Sequence, residues 1–225
     1  MNYLALANRL RSESAISGNA IPSVIGQTGE YKHLIDWINM AYVDIQNMHV
    51  NWEFLRKDLA FDTIAGVQNY SDTGIGLADL GEWSIDSMRV YLKSAGISNE
   101  QYLLPVSWDE FRESFLFGST RSQTGMPVNV AAKPDDSLVI YPIPDAIYSI
   151  NGEYFRAPHE LALDTDLPLI PTKFHMVIVW RALMMYAMHA NAQELFVVGD
   201  RETRRLIFKM EQVLLPIPDV GEPLC

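Results

Sequence analysis

Residues 31–52, YKHLIDWINMAYVDIQNMHVNW, carry Tyr31, Leu34, Ile35, Ile38, Tyr42, Ile45, His49 and Trp52 at intervals of three and four. At 100° per residue these side chains fall in one arc, the mark of a long amphipathic helix turned toward a core. The pattern predicts a helix that takes Glu30 into its acidic first turn and ends by about Asp58. Trp37 and Met48 lie beside the core arc, and Met40 and Val43 lie on the otherwise polar back. That is more apolar surface than one core requires. Either a neighbouring subunit covers it or it is a broad core with scattered exposed apolar residues.

Upstream, a short helix from Tyr3 to about Ser12 is joined to the long one by a loop punctuated at Gly18, Pro22, Gly26 and Gly29. Downstream, from Leu59 to Pro158, short apolar runs are broken by Gly, Pro, Asn and Asp, which reads as strands and turns. The expected strands are Ala60 to Ile64, Val67 to Tyr70, Ser87 to Leu92, Tyr102 to Pro105, Val128 to Ala132, Leu138 to Ile143 and Ile147 to Arg156. The last two read as a hairpin turning at Pro144-Asp145-Ala146, with a bulge at Asn151-Gly152. Ser107 and Glu110 have capping-box spacing and start a short helix.

Helix returns after Pro171. From Thr172 to about Phe196 the chain is apolar on almost every side, through Phe174, Ile178, Val179, Trp180, Leu183, Met184 and Met185, so it is expected to be buried all round. A final helix, about Asp200 to Leu215, carries Leu206, Ile207, Met210, Val213 and Leu214 on one stripe and ends at Pro216 and Pro218. The fold class is therefore α+β: a helical bundle built from both ends of the chain, with an inserted antiparallel β-rich domain. The expected division is 1–58 and 159–215 for the helices, 59–158 for the insertion and 216–225 for an extended tail.

The chain has 225 residues, 48% hydrophobic and 20% charged, which is enough to bury a core and excludes disorder as the main state. Seventeen Lys and Arg against 28 Asp and Glu leave a net charge of −11. Duplex gripping depends on cations that neutralise phosphates, so specific DNA binding is not expected. Residues 59–158 hold six basic and thirteen acidic side chains, a balance of −7, and so carry most of the field. The stretch from Phe174 to Ala190 is too short for a comfortable span and holds Arg181, so no membrane segment is expected. Arg9 and Arg11 interrupt the place of a signal-peptide core, and no export signal is expected. A single cysteine, Cys225, leaves no disulfide framework and no cysteine zinc site.

Candidate chemistry is thin. Asp72-Thr73-Gly74 matches the aspartic protease tripeptide but occurs once, in a Gly-rich stretch where a plain turn accounts for it. The histidines His33, His49, His159, His175 and His189 have no metal-binding spacing, and no GxSxG is present. No catalytic residue, cofactor or metal is expected. Two features read better as surfaces. Trp37, Met40, Val43, Met48, Trp180, Leu183 and Met184 are candidates for a subunit interface. Phe115, Leu116 and Phe117, beside the polar loop 119–125, could anchor a partner or could be the buried end of the short helix.

Further features join in one pattern. Leu138-Val-Ile-Tyr-Pro-Ile-Pro-Asp145 is followed by Tyr148-x-Ile150-x-Gly152-x-Tyr154-x-Arg156-x-Pro158, then by Leu167-Pro-Leu-Ile-Pro171 leading into the apolar helix. With the order short helix, loop, long helix and the strand Phe61-Asp-Thr-Ile64, the layout resembles the head-to-tail adaptor (connector) proteins of tailed bacteriophages, similar to the podovirus tail tubular protein A type. The resemblance implies a structural virion protein of the neck, assembled from the host cytoplasm as a ring, typically of twelve, beneath the portal. Its helices would build the wall, its strand-rich part would meet the next tail component, and DNA would pass without specific binding. It also implies a portal-facing C-terminal segment, for which Pro216, Pro218 and Cys225 are the candidates. The rival reading is another tail or baseplate component whose β domain binds a ligand or receptor.

Overall fold

A computed structural model describes residues 1–216. The chain divides into two units, Met1–Leu55 together with the residues from Pro158 onward, and Arg56–Ala157. The described helices are α1 (Tyr3–Glu13), α2 (Gly29–Asn47), α3 (Trp108–Phe115), α4 (Met176–His189) and α5 (Gln193–Leu214). The described strands are β1 (Arg56–Asp62), β2 (Asn69–Tyr70), β3 (Leu80–Leu92), β4 (Gln101–Tyr102), β5 (Leu104–Pro105), β6 (Thr124–Gly125), β7 (Asn129–Ala132), β8 (Leu138–Tyr141), β9 (Ile143–Pro144) and β10 (Tyr148–Arg156). The α+β expectation holds.

In the helical unit, α4 packs against α1, α2 and α5. Its Val177, Ile178, Val179, Ala182, Leu183, Met184 and Ala187 are buried. The burial is not complete, as the sequence pattern suggested it would be: Trp180, Met185 and Tyr186 are half-buried and Met188 is 63% exposed, because three helical neighbours leave one side open. α1 is capped by Asn2, whose Oδ1 accepts from the Ala5 amide at 2.9 Å, and it buries Tyr3, Leu6, Ala7 and Leu10. α2 buries Leu34, Ile35, Ile38, Tyr42 and Ile45 of the arc read from its spacing, with Ala41 beside them, while Tyr31 and His49 of that arc are half-buried.

Two helix ends differ from expectation. α2 stops at Asn47, because the Ile45 carbonyl accepts from the Met48 amide at 3.3 Å and from the Trp52 indole at 3.0 Å. Residues up to Asp58, expected to be helical, instead form a 3-10 turn (Glu53–Leu55) and the start of β1. The helix expected from Thr172 to Phe196 is a 3-10 turn (Thr172–Phe174), then α4, and Phe196 already belongs to α5. Asn191 has φ of 53°, the left-handed conformation that ends helices, and it separates α4 from α5. The buried face of α5 is Gly199, Thr203, Leu206 and Met210, while Val213, on the same stripe at the last turn, is 55% exposed.

Three side-chain amides tie irregular backbone to the helices, each bonding in both directions. Asn8 accepts from the Ile21 amide at 2.8 Å and donates to its carbonyl at 3.0 Å. Asn39 does the same to Leu161 at 2.8 and 3.2 Å, and Gln46 to His159 at 3.3 and 3.0 Å. Each amide completes a pair of backbone groups that no sheet neighbour serves. His175, 2% exposed, bonds the Ile170 carbonyl through Nε2 at 2.8 Å and the Met1 nitrogen through Nδ1 at 2.7 Å. Burial holds its pKa below the ordinary 6.5.

In the strand-rich unit one sheet runs β1-β10-β3-β4 and a second runs β2-β8-β7-β5. Leu59, Trp83, Met88, Val90, Ile150 and Tyr154 of the first meet Tyr70, Val130, Leu138 and Ile140 of the second in one core. The other face of the second sheet is covered by α3, where Phe111 packs with Ala131, Val139 and Tyr141. Every residue of β8 is therefore buried, and the run Leu138–Tyr141 is continuously apolar because both of its faces are covered. Tyr154 donates to Asp79 Oδ1 at 2.7 Å, and Lys57 holds Oδ2 at 3.1 Å. Burial pushes the Asp79 carboxyl up, but these two bonds outweigh it and leave it below its ordinary range.

The expected hairpin is absent. β8 pairs with β2 and β7, whereas β10 lies between β1 and β3, so the two runs sit in different sheets. A nine-residue strand finds longer partners in β1 and β3 than the four-residue β8 could supply. The run to Ile143 is interrupted at a cis Tyr141-Pro142 peptide, and Ile143–Pro144 pairs with β6. The bulge expected on the Asn151-Gly152 strand is carried by its neighbour instead: the register of β10 with β3 shifts there, but the extra residues lie on β3 between Ser84 and Arg89, and β10 pairs with β1 without a shift. Val67 and Gln68 precede β2, and β3 starts at Leu80 rather than Ser87. The insertion is also not wholly antiparallel, since β5 with β7 and β6 with β9 run parallel.

Two outcomes follow from the helical unit. A Cβ at Gly199 would lie 2.9 Å from Met184 Cγ and 3.0 Å from the Trp180 carbonyl oxygen, which cannot move aside. Gly199→Leu therefore forces α5 off α4 and destabilises by about 1–3 kcal/mol, whereas Gln212→Leu on the exposed side stays within about 0.5 kcal/mol; thermal melts compare them. His175 contributes stability that is present above pH 6.5 and lost as the pH falls through its depressed folded value. The melting temperature of the unsubstituted chain should fall more steeply from pH 7 to pH 5 than that of His175→Asn.

Candidate interaction surfaces

Asp72, the one thread toward catalysis, caps a 3-10 turn: its Oδ1 accepts from the Thr73 amide at 2.6 Å, and Ser71 Oγ accepts from Gly74 at 3.0 Å. Among the described residues no second carboxylate bonds to this turn. Among the described residues no group of three or more His, Cys, Asp or Glu side chains could hold a metal ion. No described helix is long and apolar enough to cross a membrane.

The surfaces are more informative. Along α2 and α4 runs an open groove of about 680 Å³, lined by Asp36, Met40, Val43, Asp44, Glu160 and Met185 among others. Its lining joins apolar Met40, Val43 and Met185 to acidic Asp36, Asp44 and Glu160. Arg181, also at the groove, commits two N–H groups to Asp44 Oδ2 at 2.7 and 2.6 Å, and Lys32 pairs with Asp36 at 2.6 Å. Glu160 meets the Asn39 amide at 3.4 Å. Met40 is 57% exposed. Trp37 is half-buried in an aromatic group with His33, His189 and Tyr186, at ring distances of 5.6, 5.4 and 6.0 Å. Met48 and Trp180 are half-buried too, while Leu183 and Met184 are packed inside the bundle.

In the strand-rich unit, Phe115 stacks on Tyr141 with centroids 4.2 Å apart, and Leu116 packs against the same cluster. Ser107 caps α3 by accepting from the Glu110 amide at 3.3 Å, as its spacing indicated. Of the three residues read as a partner anchor, Phe117 alone stands out, at 63% exposed. Pro216 is exposed, and Pro218 and Cys225 lie outside the described residues.

One surface escaped the sequence reading. On α5, opposite the face packed on α4, Val197 and Phe208 are 59% and 61% exposed. Arg201, Arg204 and Arg205 stand among them. Arg205 and Arg201 pair with Glu202 at 2.8 and 3.3 Å, and Arg204 pairs with Asp200 at 2.9 Å. The hydrogen bond from Arg205 is the main reason that the Glu202 carboxyl lies below its ordinary range. The signal was present in the spacing Val197, Arg201, Arg204, Phe208, which repeats at three and four. A helix start near Asp200 hides it, because Val197 then lies outside the helix, whereas α5 begins at Gln193.

The apolar faces left open on the helices of this two-unit α+β chain are surfaces of the kind that partners cover. The sequence model of the SU10 adaptor protein family matches residues 1–206, so the chain belongs to that family. The expectation of a bacteriophage head-to-tail adaptor is thereby met, and the family is one of structural phage proteins. No curated protein matches the chain.

Truncations in the strand-rich unit separate packing from presentation. Phe115→Ala removes the ring stacked on Tyr141 and lowers stability by about 2–3 kcal/mol. Phe117→Ala stays within about 0.5 kcal/mol. Urea unfolding read by tryptophan fluorescence checks both.

Proposed function

We propose that the protein is a ring-forming subunit of the phage neck, assembled in the host cytoplasm, docked between portal and tail, and shaped to pass DNA. The observation that carries this reading, beyond the family itself, is the apolar surface left open on the helical unit: Met40, Met188, Val197, Phe208 and Val213 are each more than half exposed. Exposed apolar area of this extent on assembly proteins is covered by neighbours. Copies arranged about an axis supply such neighbours through one repeated contact.

The subunit contact runs through the groove at Met40 and Val43, with half-buried Trp37, Met48 and Trp180 beside it and Leu183 and Met184 behind as packed support. Phe117 is the docking anchor toward the next tail component. Pro216, with Pro218 and Cys225 beyond it, leads toward the portal. The acidity supports the conduit role. A lumen lined by part of a −11 charge per subunit repels phosphates, so DNA slides without sticking.

Electron microscopy of the protein mixed with purified portal tests this. The expected result is a ring of density coaxial with the portal. Absence of any ring, with glycan binding by the isolated subunit instead, overturns the adaptor reading in favour of a receptor-binding tail component.

A further inference from the structure

We infer that His33 on α2 and His189 at the end of α4 form a two-histidine site for a divalent transition-metal ion of the kind that imidazole prefers, Zn²⁺, Ni²⁺ or Cu²⁺. The two residues are far apart in the chain, so no spacing announces the pair. Packing of α2 against α4 brings the rings together, with centroids 5.7 Å apart and planes at 35°. A metal about 2.0–2.1 Å from one nitrogen of each imidazole, at a tetrahedral angle, holds the ring centres about 5–5.5 Å apart. A small rotation of either side chain closes the difference.

The nitrogens of this pair are uncommitted. Among the described residues neither ring makes a hydrogen bond or an ion pair. His49 and His175, by contrast, spend theirs on Glu211 at 3.1 Å and on Ile170 and Met1 at 2.8 and 2.7 Å. His33 and His189 are both exposed, so a hydrated ion can reach them. Both stand on regular helix, and Trp37 fixes their approach. Its indole is stacked on His33 at 5.6 Å and 23°, and lies 5.4 Å from His189. Tyr186, one turn before His189 on α4, meets the same indole edge-on at 6.0 Å. Ligands carried on packed, rigid elements keep the geometry that binding needs.

Among the described residues no third His, Cys, Asp or Glu side chain completes a set. Water therefore fills the remaining positions, and the site is open rather than the closed kind that builds zinc-dependent folds. One ligand comes from α2 and the other from the last residue of α4, so a bound ion pins the end of α4 to α2 just before the left-handed residue Asn191.

The full-length chain carrying Cys225→Ser, which removes a competing thiol, is titrated with Cu²⁺, the tightest binder of such ligands, and followed by tryptophan fluorescence and pulsed EPR. The expected result is saturation at one ion per chain, an EPR spectrum with two coordinated imidazoles, and quenching that EDTA reverses. His33→Asn and His189→Asn should each weaken binding at least about tenfold, since each removes one arm of the chelate. Trp37→Phe should keep the two-imidazole spectrum and lose most of the quenching, which locates the ion at this cluster. Zn²⁺ should raise the thermal midpoint of the chain with both histidines and not that of either histidine variant. A spectrum with one imidazole, binding unchanged in either histidine variant, quenching retained in Trp37→Phe, a Zn²⁺ shift shared by the histidine variants, or no saturable binding overturns the site. The site stands or falls independently of the ring reading.

Discussion

The rest of the helical unit depends on α4 having nowhere to face but inward. Fourteen residues from Met176 to His189 include Arg181 as the one side chain with a permanent charge. In water such a helix leaves most of its surface unfavourably hydrated, and each buried Leu, Ile, Val or Met side chain contributes roughly 1.5–3 kcal/mol when it leaves solvent. α1, α2 and α5 therefore collect around α4, and their own patterns supply one apolar stripe each. Gly199 allows α5 to approach closely enough that Met184 packs against bare backbone. Arg181 is accommodated at the groove, where Asp44 meets it, rather than within the core.

That arrangement leaves long stretches of irregular chain to secure, from Ala15 to Thr28 and from Pro158 to Pro171. Buried backbone groups need partners. The amides of Asn8, Asn39 and Gln46 provide them, each acting like one rung of a strand pair. The strand-rich unit solves the same problem with sheets. Its two sheets share a core, and α3 closes the far side of the second one, so β8 reads as apolar without interruption.

Function enters through what this packing leaves over. A subunit that satisfied all of its apolar surface internally would have no reason to assemble. Here the open side of α4, the back of α2 and the outer face of α5 retain Met188, Met40, Val197 and Phe208 at the surface. The charged side chains around them, carboxylates at the groove and paired arginines on α5, keep these faces hydrated. Membership of a phage adaptor family places the chain among structural phage proteins.

Local pattern by itself determined a good deal. The arc from Leu34 to Ile45, the cap at Ser107 and the α+β class all follow from residue spacing, and so they were legible in the chain. Spacing reports which side of an element is apolar, not what will cover it. It did not distinguish Phe115, stacked on Tyr141, from Phe117, left in solvent two residues later. It did not reveal that β10 would lie between β1 and β3 rather than beside β8. It did not stop α4 at Asn191 or α2 at Asn47, since the first end is set by a backbone conformation and the second by the Trp52 indole. Those outcomes belonged to the tertiary structure, because strand pairing, helix termination and exposure are decided by competition among partners distant in sequence, and only the packed chain brings the competitors together.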